Sequence, residues 1–585
     1  MSGGRPVPVE TENENVRYEP QDRPPALVTA GSGLQAAMVI VAPVVLTVVI
    51  VARIAEQPDS YLTWGVFAAL VVSGVTTVLQ AIRVGRVGAG HVLIMGTSGA
   101  FIAVCVAAMV EGGPSLMATL IIISSLFQFA LAARLSLLRR IFTPVVSGTV
   151  IMLIAATVMP VIFDTLTAVP EGASGAAAPL AAGATLVTVA ALVLRGPPAW
   201  RLWSPIIGIA VGCAVGAPFG LYDVQQVADA AWVGVPASSW PGIDVTPGTE
   251  FWALLPAFVV VTIVGAVETI GDGIAIQRVS RRRPQATDFR VVQGALNADG
   301  VGNFLSGILG TLPNTTYSSS VSIAEVTGVA ARRVGVVIGV TFVVIAFFPK
   351  VAALLIAIPG PVAAAYITVL IALLFVQGMQ LIIRDGVDHR KALVVGAAFW
   401  IGTGFQNQWI FPDLLEGGFL EVLLGNGMTA GTLVAVIMVA FLELTGSRRS
   451  RLDLALDAKA VPALEQFLRA FAGRGRWDAA STERLTSSGE ETLSILLQEQ
   501  DDTSDGASRR LAVTARMDGR RAEMEFVTAL EGENMEDRLS YLSDLPPVPD
   551  EQEVSFRLLW HYASDVRHQK YHGVDIVTVS VEGHR

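Results

Sequence analysis

Between Ala26 and Thr445 the chain is a nearly unbroken succession of apolar runs. Each is close to the ~20 residues a helix needs to cross a bilayer. That feature limits the fold more than any other, because only helices or closed barrels satisfy their backbone in lipid. The 585 residues are 52% hydrophobic and 15% charged, well below the roughly one quarter charged usual in soluble domains. The charge deficit is confined to this region. A polar N-terminal tail precedes it and about 140 polar residues follow Gly446. The expectation is an all-α polytopic membrane protein with a small soluble α/β domain at its C-terminus.

About fourteen spans can be counted, roughly at 30–54, 62–82, 88–110, 115–136, 142–164, 177–194, 203–220, 251–275, 292–309, 317–331, 334–357, 361–382, 392–410 and 424–445. The basic residues test the count. Arg83 and Arg86 follow the second span, and Arg134, Arg139 and Arg140 the fourth. Arg278, Arg281, Arg282, Arg283 and Arg290 follow the eighth, and Arg448, Arg449 and Arg451 the last. Every cluster follows an even-numbered span, whereas the stretch from Tyr222 to Glu250 has no Lys or Arg. By the positive-inside rule both termini are cytoplasmic. The N-terminus lacks an apolar core behind a basic start and does not read as a cleavable signal peptide. Cys105 and Cys213 lie in apolar runs and read as small buried hydrophobes, not as a disulfide or metal pair. No HExxH, CxxC, GxSxG or GxxxxGK[ST] pattern falls where it would matter. The expectation is therefore no enzyme, no cofactor and no metal.

Fourteen divides into two sevens, about 28–220 and 250–446, which would enter the membrane with opposite orientation as an inverted repeat. Span three reads GHVLIMGTSGAF and span ten, third in its half, contains PNTTYSSSVS. Both look extended, then small, then helical. Matching interruptions in two halves are the best sequence pointer to a transporter's site. Thr97, Ser98, Ser318, Ser319 and Ser320 are thus candidate substrate-binding residues. The serines would begin a half-helix whose free N–H groups and positive dipole end face a cavity. A re-entrant loop or a small-residue packing surface is the alternative.

Ionisable residues inside spans cost ~2.5–3.5 kcal/mol or more and are functional suspects. Span eight supplies Glu268 and Asp272, four apart and hence on one helix face. Asp299 lies in span nine and Glu325 follows the serines. Two carboxylates on one face in a low dielectric cannot easily both ionise. Glu268, Asp272 and Asp299 are accordingly the candidates for proton coupling. A structural role for Asp272, and a cytoplasm-facing place for Glu325, stay open. His91, at the start of span three, reads as interfacial.

Several of these residues carry a resemblance. VVQGALNADGVGNFLSGILGTLPNTTYSSSVSIAEVTGVAARRVG at 291–335 resembles the nucleobase–cation symporters, also called nucleobase–ascorbate transporters or xanthine/uracil permeases. So do VETIGDG at 267–273, RYEPQDRPP at 17–25, SGLQ at 32–35 and IFTPVVSGTVIMLI at 141–154. The resemblance implies fourteen spans in two inverted sevens, a core and a gate domain, and uptake of a purine or pyrimidine with a proton, or with sodium. It implies that Glu268 hydrogen-bonds the base and that Asp272 and Asp299 accompany it. Thr327 and Gly328 match the span-ten signature, but Ser319, Ser320 and Ser322 stand where Gln or Glu, Asn and Gly are usual. Ala36 replaces a frequent His and Ser98-Gly99 a frequent aromatic. A pocket roomier and less selective for a flat oxo-purine follows from these departures. The implied setting is a bacterial-type inner membrane, with a nucleobase and the bilayer as partners and no nucleic acid. A homodimer is compatible with it. Two other readings are an anion carrier of the same architecture, which the absence of basic residues near either interruption disfavours, and a transporter-like sensor signalling through its C-terminal domain.

After a tail at 1–27, the membrane part at 28–446 and a linker at 447–457, residues 458–585 change pattern. ALEQFLRAFAGRG and STERLTSSGEETLSILLQE read as amphipathic helices. RRLAVTARMD and RRAEMEFVTALEG read as strands joined at Asp518-Gly519. VSFRLLWHYASDVRHQKYHG reads as another helix, with His561, His568 and His572 on a solvated face, and VDIVTVSVEG as a last strand. The domain loosely resembles the ATPase domain of histidine kinases. Glu490 and Glu491 are in place, but Ile495 stands where the magnesium-binding Asn belongs and no Gly-rich lid follows, so a degenerate, non-hydrolysing domain is expected.

Overall fold

A computed structural model describes residues 13–584 except 136–142, 168, 170–173, 223, 237–239, 247, 284, 385, 387, 413–423, 425–426, 446–448, 458, 502–509, 519, 529–534, 536–550 and 573. Arg139, Arg140, Arg448 and Gly519 of the expected turn lie outside the described residues. The chain divides into two compact units, Met1–Arg283 with Val291–Phe441, and Pro284–Arg290 with Leu442–Arg585.

The first unit is helical. Its helices are α1 Ala26–Ile54, α2 Asp59–Ile82, α3 Ile102–Ala133, α4 Pro144–Leu166, α5 Ala177–Arg195, α6 Pro198–Gly216, α7 Thr249–Val279 and α8 Phe289–Leu309. They continue with α9 Ser319–Thr327, α10 Arg332–Ala346, α11 Pro349–Ile356, α12 Gly360–Arg384, α13 His389–Gln406 and α14 Gly427–Thr445. Among the described residues, six helices are long and apolar enough to cross a membrane, or seven if α10 and α11, bent by 87°, form one span. The long α3 is broken at Gly113, whose φ of 74° suits glycine alone, with Pro114 next.

Two groups of helices pack chiefly among themselves. One joins α1, α2, α3, α7 and α10; the other joins α4, α5, α6, α12 and α13. Glycines let backbones touch inside each group, as apolar helices in lipid require. A Cβ on Gly74 of α2 would lie 2.5 Å from the carbonyl oxygen of Gly339 on α10. A Cβ on Gly148 of α4 would lie 2.5 Å from that of Gly378 on α12.

Two three-residue strands interrupt this helical unit: β1, Met95–Thr97, and β2, Asn314–Thr316. The N-terminal tail is pinned at the C-terminal end of α9. Tyr18 bridges Val329 in parallel, Arg17 N–H donates to the Gly328 carbonyl (2.8 Å) and Ala330 N–H to that of Tyr18 (2.9 Å). Arg282 donates to the carbonyls of Val16 and Arg17 and to Asp22. RYEPQDRPP thus acts as a strap across the end of α9.

The second unit is a five-stranded antiparallel sheet in the order β3-β4-β5-β7-β6 with three helices. The strands are β3 Ser450–Ala455, β4 Arg510–Asp518, β5 Arg521–Thr528, β6 Asp565–Tyr571 and β7 Val574–Glu582. The helices are α15 Ala460–Arg474, α16 Ala479–Asp501 and α17 Glu551–Tyr562. Alternate residues Ala522, Met524 and Phe526 of β5 enter one core with Leu464, Leu468, Leu493 and Phe556. Ile495 is in that core, 1% exposed, so the position has no ligand to offer.

Two expectations need correction. Ser450–Ala455, within the segment read as linker, is edge strand β3; its alternating part-buried and exposed residues carry the period of two. The helix expected through Gly573 ends at Tyr562, and Asp565–Tyr571 forms β6. Tyr571 pairs with Val574, so β6 turns directly into β7 through a two-residue link that no helix could supply. His568 therefore sits 1% exposed in the sheet and not on a solvated face. Its Nδ1 accepts the Met535 N–H at 2.9 Å. Burial, with Lys570 and Arg290 beside it, pushes its pKa down to about 3. Within the second unit, Asp288 bridges Lys570 in parallel and the Phe289 ring lies 4.9 Å from that of Tyr571.

Candidate functional site

The two interruptions meet. β1 and β2 pair antiparallel, with Met95 opposite Thr316, Gly96 opposite Thr315 and Thr97 opposite Asn314. Ser98 N–H donates to the Pro313 carbonyl (2.8 Å) and Tyr317 N–H to that of Ile94 (2.9 Å), closing the ladder at both ends. Gly96 is required here, because a Cβ would lie 2.5 Å from the Tyr317 ring. Beyond β1 the chain passes through a 3-10 turn, Gly99–Phe101, into α3; beyond β2 it enters α9 at Ser319. Two helix N-termini, each with a positive dipole end, therefore start at the strand pair; at α9 the Ser320 and Val321 N–H groups already donate to the Tyr317 and Ser318 carbonyls.

Helix α7 brings its acids to the same place. Asp272 accepts from Thr316 Oγ1 at Oδ2 (2.7 Å) and from Ser318 Oγ at Oδ1 (2.6 Å). Both its oxygens are thus engaged by the stretch that interrupts span ten. Asp299 of α8 accepts from Thr269 Oγ1 (2.8 Å) and Gln128 Nε2 (2.6 Å), both at Oδ2. Glu268 differs. It is half-buried, with Asp272 and Asp299 close enough for their charges to act on it. Among the described residues it has no hydrogen-bond or ion-pair partner.

The serines split by role. Ser320 is fully buried; its hydroxyl donates to the Tyr317 carbonyl (2.6 Å) and accepts the Ile94 N–H (2.9 Å), so it ties β1 to α9. Ser318 is committed to Asp272. Ser319, half-buried at the first turn of α9, has no side-chain partner among the described residues. Thr97 Oγ1 donates to the Val44 carbonyl (2.9 Å), while Ser98 Oγ is buried without a hydrogen-bond partner. Glu325 is exposed on α9, away from this cluster's buried residues. His91 is buried, its Nδ1 3.1 Å from the Ala89 carbonyl oxygen. Cys105 and Cys213 are free thiols.

Sequence reasoning did not single out Gln128, Thr269, Asn303, Asn314 or Tyr317. Their signal was present but weak: one uncharged polar side chain in an apolar run reads equally as helix-packing glue. Among the described residues no group of acids, histidines and cysteines could hold a metal ion.

A polytopic helical membrane protein, with broken helices meeting over buried carboxylates, has the build of a permease. Residues 28–409 match the Xan_ur_permease family model, described as a permease family, and the chain belongs to that xanthine/uracil permease family. It is 32% identical to a putative purine permease of Clostridium perfringens over 393 residues, 66% of this chain and 84% of that protein. It is 27% identical to the xanthine permease XanP of Escherichia coli over 447 residues, 73% of this chain and 95% of that one. The transmembrane domain of a cyanobacterium bicarbonate transporter, BicA, superposes with a TM-score of 0.42 at 16% identity, covering 73% of this chain and all of that domain.

Proposed function

We propose that the chain is a secondary active transporter that takes up a purine or pyrimidine nucleobase together with a proton across a bacterial inner membrane. It does so through fourteen spans in two inverted sevens, with both termini cytoplasmic. The 14-span reading takes α3 as two spans broken at Gly113, and β1 and β2 with their following helices as spans three and ten. The observation that carries the functional reading is the division among the acids. Asp272 and Asp299 are occupied by hydroxyl and amide donors, whereas Glu268, one helical turn before Asp272 on α7, has its acceptor capacity unspent among the described residues. A nucleobase edge offers N–H donors, and a carboxylate is the acceptor that binds them most strongly. Carbonyl groups of the base would meet the Ser319 hydroxyl and the N–H groups opening α9 and α3. The named substrates of the relatives, purine and xanthine, belong to this class.

With its N–H donors on ionised Glu268, the base leaves the proton to a neighbouring acid, Asp272 or Asp299, whose neutralisation removes like charge beside Glu268 and strengthens base binding, so base and proton are thermodynamically linked in both directions. The test uses proteoliposomes with an imposed pH gradient and radiolabelled xanthine, uracil, bicarbonate or sulfate. The expected outcome is gradient-driven accumulation of a base, converted by Glu268→Gln to exchange without accumulation. Accumulation of an anion in place of any base, or full accumulation by Glu268→Gln, refutes the reading.

A further inference from the structure

Asp299 is joined to β2 by a chain of hydrogen bonds whose direction is fixed at one end by a backbone group. The N–H of Asn314, in β2, can only donate. It donates to Asn303 Oδ1 at 2.7 Å. The oxygen of the Asn303 amide is thereby assigned, so its nitrogen faces Gln128 and donates to Oε1 at 2.8 Å. The Gln128 amide is assigned in turn, and its nitrogen donates to Asp299 Oδ2 at 2.6 Å. Neither amide can be turned over without setting a donor against a donor. All four residues are buried, at 1% exposure for Gln128, Asp299 and Asn314 and 4% for Asn303, so water does not relieve a mismatch. Asn314 is held further by its own amide, which donates to Ser73 Oγ at 3.0 Å.

The chain has a consequence at Asp299. Both donors, Gln128 Nε2 and Thr269 Oγ1, land on Oδ2. Oδ1 is buried without a hydrogen-bond partner among the described residues. A proton can therefore join Asp299 at Oδ1 without displacing either bond on Oδ2. The carboxyl stays in place between its two protonation states, and so does its connection to β2.

We propose that Gln128, on α3, is a positioning residue of the transport site. Its amide, oriented from the backbone of β2, clamps one oxygen of Asp299 and links that acid to the strand that leads into Ser318 and Ser319. Gln128 does not touch the substrate in this assignment; it acts through Asp299 and Asn314. This rests on the reading of the cluster as the transport site, whereas the hydrogen-bond chain itself does not.

The test is a swap that keeps every bond but exchanges amide and acid. Gln128→Glu alone sets two carboxyl groups 2.6 Å apart and leaves Thr269 Oγ1 as the one remaining donor to Asp299 among the described residues. Adding Asp299→Asn restores the pattern: the carboxylate at 128 accepts from Asn303 and from the new amide at 299, whose second hydrogen goes to Thr269 Oγ1. Two readouts are used on the full-length protein. Backbone hydrogen exchange over residues 312–318 needs no substrate; equilibrium binding of radiolabelled xanthine does. Gln128→Glu and Gln128→Leu are expected to speed exchange over this segment at least tenfold. In both variants xanthine binding is expected to fall at least tenfold. The Gln128→Glu/Asp299→Asn double variant is expected to return exchange over residues 312–318 to within about threefold of wild type. A double variant no better than Gln128→Glu, or a Gln128→Leu protein that matches wild type in exchange, overturns the proposal. If the wild type binds no xanthine, the substrate reading fails while the exchange results still decide the role of Gln128.

Discussion

Thr316 and Ser318 both donate to Asp272, and their burial separates what each bond contributes. Thr316 is fully buried, and its Oγ1 donates to Oδ2 at 2.7 Å while lying 3.3 Å from Thr269 Oγ1. Thr316→Val keeps the shape and removes the hydroxyl. The carboxylate oxygen then loses a donor that water cannot replace, and a hydrogen bond to a charged group contributes about 1.5–3 kcal/mol. Ser318 is half-buried. Ser318→Ala removes a bond of 2.6 Å, yet water can enter and take over most of it, leaving a net cost of about 0.5–1.5 kcal/mol. Bond length alone ranks the two variants in the opposite order. Thermal unfolding of purified protein in one detergent, followed by the loss of a monodisperse peak, checks the ranking. Thr316→Val is expected to melt below Ser318→Ala, and Ser318→Ala below wild type or level with it. If Ser318→Ala melts lowest, the accessibility argument is wrong and Ser318 is sealed from water.

Three further outcomes follow from the same structure. Gly74→Ala places a methyl 2.5 Å from the Gly339 carbonyl oxygen and 2.7 Å from Val343 Cγ2; it is expected to destabilise by about 1–3 kcal/mol, whereas Gly183→Ala, with nothing within 4 Å, is expected to be neutral or slightly stabilising by melting temperature. In intact cells an impermeant maleimide is expected to label Thr246→Cys and to leave Arg282→Cys unlabelled, and outside labelling at 282 contradicts the fourteen-span topology. His568, held near a pKa of about 3 when folded against about 6.5 unfolded, binds fewer protons folded than unfolded between those values. The second unit should therefore lose about 1.4 kcal/mol per pH unit as pH falls below 6.5. Hydrogen exchange over β6 and β7, corrected for its intrinsic pH dependence, is expected to show this slope in wild type and to lose it in His568→Gln.

The membrane helices were legible because lipid imposes length and apolarity directly on sequence, and the arginine clusters added an independent check on the count. The two interruptions were legible for the complementary reason: glycine, threonine and serine runs at GTSG and TTYSSS cannot be ordinary lipid-facing helix. The soluble unit was legible where one periodicity held over eight or more residues, as in α15, α16, β4 and β5. It failed at β6. There VSFRLLWHY continues into ASDVRHQKY with no proline or glycine between them, and the period of two is masked by buried His568 and Lys570. Short edge strand β3 failed because six residues of RLDLAL type resemble a linker as readily as an edge.

The site's carboxylates and its supporting polar residues had different visibility for a physical reason. A charge in a span has a cost so large that its presence demands a function, so Glu268, Asp272 and Asp299 announce themselves one at a time. An amide or hydroxyl in a span has a small cost and many structural uses, so Gln128, Asn303 and Thr269 carry no meaning singly. Their meaning is relational. Gln128 and Asp299 are 171 positions apart, Asn303 and Gln128 are 175 apart, and they meet only once α3 and α8 are folded against each other. The direction of each bond then comes from a backbone N–H in β2, a group every residue but proline possesses and no sequence displays. What such a chain requires is the donor and acceptor pattern more than any one side chain, which is why exchanging the acid at 299 with the amide at 128 is a sharper probe of the site than removing either.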